Sequence, residues 1–281
     1  MSELKKRVGV ALWGIPLLIF LVYMGGYFFL ILLLIINGMA LWEFYTMFHN
    51  REIYPLRIIG VSLATVFLLT VFFFPAYSFD YIVFIILFIL ISHISHQQGL
   101  ASKNTAFTLL GFFYITLFLS LLLQLVQHFP VWNIAGAANT GHAAGRYVMA
   151  LLGSIWICDT AAYTAGRKLG KHKLAPTVSP NKTVEGALFG FLFAIISFYA
   201  FGKLFLPQMS WGDALVSGVL VGVFGQIGDL VESRFKRDAG VKDTSTLLPG
   251  HGGILDRFDS LIFVSPFLWA FFYLRSTGVF S

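Results

Sequence analysis

Within "GDLVESRFKRDAGVKDTSTLLPGHGGILDRFDS", residues 228 to 260, Asp229, Glu232, Ser233 and Lys236 stand at i, i+3, i+4 and i+7. On a helix that spacing puts two carboxylates, a hydroxyl and an ammonium on one face. Asp229 falls about two turns inside the end of an apolar run. An ionised carboxylate there costs roughly 2.5–3.5 kcal/mol on insertion scales, so it needs a partner or a wet cavity, and a divalent cation is the strongest candidate. Asp256 and Asp259, again i and i+3, open the next apolar run, where carboxylates favour the positive end of a helix. Between the two pairs runs Pro249-Gly250-His251-Gly252-Gly253, which cannot be regular helix and whose glycines permit close backbone approach to a ligand. Asp229 and Asp256 on either side of such a turn, amid Lys236, Arg237, Lys242 and Arg257, suit a Mg²⁺–polyphosphate complex. Each feature alone also has a plain reading, as an ion pair, a helix cap or an ordinary loop. Their coincidence in one segment favours a site.

The elements that must position these residues are membrane helices. In 281 residues, 58% are hydrophobic, 11% are charged and 31 are phenylalanine, and the mean hydropathy is +0.81. That leaves too few polar groups to cover a water-soluble globule. A single cysteine, Cys158, excludes an intrachain disulfide. Apolar runs long enough for about 30 Å of hydrocarbon fall at 8–24, 26–47, 57–74, 80–98, 105–127, 147–168, 185–205, 212–235 and 260–276. The expected fold is therefore all-α, a polytopic integral membrane protein of about nine transmembrane helices, the first of them a retained helix. With the N-terminus cytoplasmic, only Arg146, Lys203 and Arg275 of the 19 basic residues fall outside, as the positive-inside bias requires. Residues 1–140 would form about five spans, and 141–281 a catalytic region of about four, with cytoplasmic loops 166–184 and 234–259.

The other polar stretch, "GRKLGKHKLAPTVSPNKTVEG" at 166–186, has neither the spacing nor the following Ser/Thr of a P-loop. Its "SPNKT" carries Ser179, Asn181 and Lys182, and reads structurally as a helix start with Thr183 as cap. Asp159, in the apolar run that leads into this loop, is either a site residue or a structural hydrogen-bonding group, and intramembrane acids favour the first.

The run from Glu232 to Ser260, with its "GVKD", "LPGHGGILDR" and "DS", resembles the signature of the phosphatidate cytidylyltransferases, and "CDTAAYTAGRKLGKHKLAPTVSPNKTVEG" at 158–186 is similar to that family's other block. The first 140 residues are similar only in being several helices with a basic N-terminus and a Trp42-Glu43 pair. The resemblance implies a Mg²⁺-dependent nucleotidyltransferase of phospholipid biosynthesis that makes CDP-diacylglycerol and pyrophosphate from CTP and phosphatidic acid. It further implies Asp229 and Asp256 as ligands of a metal centre with room for a second cation such as K⁺. Lys182, Lys236, Arg237, Lys242 and Arg257 would neutralise phosphates, and His251 with the Gly252 and Gly253 amides would bind the leaving pyrophosphate. Ser179, Asn181, Lys182, Lys242, Asp243 and Asp159 would complete the nucleotide site. The setting would be a cell (inner) membrane with the site facing the cytoplasm, no nucleic-acid partner and room for a homodimer. Two other classes compete. A CTP-dependent lipid kinase shares metal, nucleotide and membrane, whereas a transporter would string its polar groups along a midplane path rather than cluster them at one face.

Overall fold

The computed structural model describes residues 3–95, 98–134, 141–247 and 252–279, with side chains from Leu12 onward. Its helices are α1 (Glu3–Met24), α2 (Gly26–Met47), α3 (Arg57–Phe73), α4 (Ser78–Ser92), α5 (Ala101–Gly111), α6 (Phe118–His128), α7 (Ala143–Leu169), α8 (Val184–Phe205), α9 (Trp211–Leu220), α10 (Gln226–Ala239) and α11 (Leu255–Ser276). π-helical turns at Phe112–Leu117 and Val221–Gly225 join α5 to α6 and α9 to α10 into two long rods. Two short strands, β1 (Lys173–Ala175) and β2 (Ser179–Thr183), form an antiparallel hairpin between α7 and α8.

Among the described residues, seven helical stretches are long and apolar enough to cross a membrane: Gly26–Arg51, Pro75–Ser92, Ala101–His128, Ala143–Leu169, Val184–Phe205, Trp211–Ala239 and Leu255–Ser276. The apolar stretches Leu12–Met24 and Arg57–Phe73 are shorter. At 1.5 Å per residue the 17 residues of α3 reach only about 26 Å, which is why it falls short of a bilayer's hydrocarbon thickness. These stretches lie where the sequence places apolar runs. The chain is nearly all helix, as expected; the hairpin is the addition.

The chain divides into two compact units whose segments interleave. The first comprises Met1–Pro16, Leu30–Gln124 and Phe235–Phe258, and the second Leu17–Phe29, Leu125–Arg234 and Asp259–Ser281. In the first, Phe44, Tyr45, Phe48, Phe67 and Phe112 are fully buried, and Phe235 sets its ring edge-on to Phe44 and Tyr114, each 5.6 Å away. Two buried hydroxyls here have partners, as an interior of low dielectric favours. Tyr45 donates to the Thr108 carbonyl at 2.8 Å, and Thr116 to Asn37 Oδ1 at 2.7 Å.

In the second unit α7 and α8 run against each other on small residues. At Gly190 a side chain would meet the Cys158 carbonyl and the Ala162 methyl, so backbone replaces side chain at the contact, the usual way helices associate without a hydrophobic drive between them. At the far end of this unit Arg275 of α11 pairs with buried Asp213 of α9 and donates to the Trp132 carbonyl at 2.7 Å, a clamp of three segments.

Candidate active site

In the second unit, α10 and α11 bring three carboxylates together. Asp229 and Glu232, one turn apart on α10, and Asp259 on α11 each offer an oxygen, all within 4.8 Å of one another. Glu232 and Asp259 are buried and Asp229 half-buried. The convergence has a cause in the backbone. Gly228 lets α10 approach α11 so closely that a side chain there would meet Phe263 and lie 3.0 Å from the Asp259 carbonyl. Ser260 ties the same two elements by donating to the Gly225 carbonyl at 2.9 Å, at the end of the π turn. Gly228→Ala should therefore push α11 outward and spread the carboxylates. A fall of about tenfold or more in turnover, with a lower melting temperature, is the expected outcome, since overpacking costs about 1–3 kcal/mol. Unchanged kinetics would show that the close approach is not needed.

The hairpin supplies a counter-charge. Lys182, near the end of β2, sits 2.7 Å from Asp229 Oδ2, and Ser233 donates to Asp229 Oδ1 at 3.2 Å. The hairpin is anchored at both ends. Thr183 caps α8 by accepting from Gly186 N at 3.1 Å, as its sequence context suggests. Glu185, in the first turn of α8, accepts from the Lys171 and His172 amides at 3.0 and 3.2 Å and lies 2.6 Å from His172 Nδ1. Three carboxylates so close together repel one another. Their hard oxygen donors at this spacing fit a divalent cation of the Mg²⁺ type.

The first unit holds a second polar group. Lys236 Nζ lies 2.6 Å from Asp256 Oδ1, with both side chains nearly buried. Asp256 Oδ2 accepts from Gly253 N at 2.7 Å and from Thr244 N at 3.0 Å, and it lies 3.0 Å from Thr244 Oγ1, whose single hydrogen is shared between it and Glu43 Oε2, also at 3.0 Å. Glu43 of α2, also buried, accepts from Ser245 Oγ, Ile254 N and Leu255 N at 2.7–2.9 Å.

The remaining residues expected at a site fall as follows. Asp229 groups with Glu232 and Asp259, and Asp256, in the first unit, pairs with Lys236 and accepts from Thr244 N and Gly253 N. Arg237 is exposed and donates to the Val241 carbonyl at 3.1 Å, and Arg257, Lys242 and Asp243 are exposed. Gly252 is left-handed, with φ of 81°, as a glycine turn allows, and the Gly253 amide is engaged by Asp256. Ser179 and Asn181 lie on β2, Ser179 in register with Ala175. Asp159 is exposed on α7, outside the three-carboxylate group. His251 lies outside the described residues. Sequence reasoning gave Glu43 no role, although the signal was present: it is the one charged residue in an apolar run of 22, and buried intramembrane acids are functional by default.

The model of the cytidylyltransferase family matches residues 5–275. The phosphatidate cytidylyltransferase of Bacillus subtilis is 32% identical over 278 residues, which cover 96% of this chain and 97% of that protein. Proteins of the same name from Staphylococcus epidermidis and Staphylococcus aureus are 49% and 46% identical over 123 and 125 residues, in each case 44% of this chain and 47% of theirs.

Proposed function

The chain belongs to the cytidylyltransferase family, and on that footing we propose that it is a multi-pass membrane enzyme that converts CTP and phosphatidic acid to CDP-diacylglycerol and pyrophosphate. The observation that carries the reading is the group of Asp229, Glu232 and Asp259 with Lys182 beside it, on helices apolar enough to span a membrane. Phosphatidic acid brings a phosphate monoester whose second pKa is about 6, so near neutral pH it is already a dianionic nucleophile and needs little help from a general base. The barrier is charge, because this dianion must approach a triphosphate. Attack by a phosphate oxygen on the α-phosphorus forms one P–O bond, breaks the bond to the β-phosphate and expels pyrophosphate.

Asp229, Glu232 and Asp259 would hold Mg²⁺, which when bound supplies positive charge against the phosphates. Lys182 stands close enough to Asp229 to turn from carboxylate to phosphate, and the resemblance assigns a second ammonium to Lys236, which pairs with Asp256. Asp256 as a direct ligand, a second cation such as K⁺, and the roles of Arg237, Lys242 and Arg257 rest on the resemblance. The same reading sets the chemistry on the cytoplasmic face of the cell membrane, in keeping with the bias of lysine and arginine.

The test separates transferase from kinase. Purified protein given α-labelled CTP, phosphatidic acid and Mg²⁺ is expected to place label in a chloroform-soluble lipid and release one pyrophosphate per lipid labelled. Diacylglycerol, which lacks the phosphate nucleophile, should not substitute. Label recovered as water-soluble CDP, with only the γ-phosphate in lipid, would reject the reading in favour of a CTP-dependent lipid kinase.

A further inference from the structure

Glu43 is far from the polar loops in sequence, yet its carboxylate gathers both ends of one of them. Its Oε1 accepts from Ser245 Oγ at 2.7 Å and Ile254 N at 2.9 Å, and its Oε2 from Leu255 N at 2.9 Å and Thr244 Oγ1 at 3.0 Å. Two of these donors are main-chain amides at the start of α11, groups that have no partner within their own helix. A carboxylate from another helix thus fills the anion position at the positive end of α11. The other two are hydroxyls from the loop that follows α10. Gly253 makes the closure feasible, since a side chain there would run into Thr244 Oγ1 and the Glu43 carboxylate. Thr244 is the link onward, its Oγ1 also 3.0 Å from Asp256 Oδ2, and Asp256 in turn holds Lys236.

We propose that Glu43 is a positioning residue of the nucleotide site: it ties Thr244 and Ser245 to Ile254 and Leu255 and, through Thr244, sets the orientation of Asp256 and Lys236. The proposal rests on the transferase reading above for the site it serves. Glutamine at this position keeps the shape but offers one accepting oxygen in place of two, and turns an NH₂ toward groups that already donate. Glu43→Gln should therefore loosen these ties without emptying a cavity.

Two measurements on the full-length protein in detergent decide the matter. In hydrogen exchange, peptides spanning 244–256 of Glu43→Gln should take up deuterium about ten times faster than wild type, while peptides from α8 do not change. With α-labelled CTP, turnover should fall about 100-fold, as misplacement of a phosphate-handling group would cause. Adding Thr244→Val should lower it little further, because both changes cut the same link. A purely structural role would instead lower the melting temperature and leave turnover per folded molecule intact. Normal turnover in Glu43→Gln overturns the proposal, as does slow turnover with unchanged exchange or an additive double variant. If Glu43→Gln does not fold, Thr244→Val alone decides: a fall of about tenfold, restored by Thr244→Ser, supports the link, and full turnover refutes it. Failure of the wild type to label lipid would instead overturn the transferase reading, and the exchange measurement would still show whether Glu43 holds these residues.

Discussion

Asp229→Asn is expected to lower turnover by about 10³-fold, an effect of about 4 kcal/mol on the transition state at 1.36 kcal/mol per tenfold. Asparagine keeps the size and one oxygen of the side chain but removes the charge that, with Glu232 and Asp259, would hold a cation against the CTP phosphates. Folding should hardly register the change. The Lys182 contact that it weakens joins side chains that are 28% and 33% exposed, a setting where ion pairs contribute little. Loss of one of three crowded negative charges offsets even that. Turnover measured with α-labelled CTP, set beside a thermal melt in detergent, tests both halves. A variant within tenfold of wild type would move the metal site away from Asp229.

Lys236→Met should behave in the opposite way, with stability suffering along with activity. Lys236 and Asp256 form a close pair with side chains only 11% and 7% exposed. Removing the lysine charge from beside a carboxylate at such depth costs about 3–5 kcal/mol, toward the lower end here because Thr244 and Gly253 still donate to Asp256. Asp256→Asn added to Lys236→Met should recover part of the melting temperature, since the stranded charge is gone, and none of the turnover. A single variant as stable as wild type would show that the pair is solvated in the working protein.

Much of this arrangement is legible in the sequence because it is local. Hydropathy alone finds the apolar helices, and the i, i+3, i+4, i+7 pattern places Asp229, Glu232 and Ser233 on one face because α10 is a continuous helix. The end of α10 was read several residues too early, although a glycine marks it. Gly240, at φ of 77°, closes it with hydrogen bonds from Gly240 N and Val241 N back to the Arg237 and Lys236 carbonyls, so the first six residues of the expected loop 234–259 are helix. What escaped is long-range or weakly encoded. Glu43 meets Thr244 and Leu255 across some 200 residues, and no local pattern announces such a contact. The hairpin strands have three and five residues, and the second contains Pro180, which weakens any strand signal. The pairing of Lys236 with Asp256 joins the end of α10 to the start of α11 across a loop, which no local pattern announces.

The π turn at Val221–Gly225 has a consequence for how the carboxylates are aimed. A π turn winds one more residue into a turn than an α turn does, so the helix beyond it is set back by about 100° from where uninterrupted α winding would leave it. Gly218 and Gly222 hold the rod against α8 at and before this turn, while Asp229 and Glu232 lie after it. The turn therefore acts as a phase adjuster, decoupling the face that packs from the face that binds. Loss of one residue within 221–225 could be absorbed by rewinding to α with both faces still aligned, whereas the same loss between Gln226 and Asp229 would swing the acids away from Asp259.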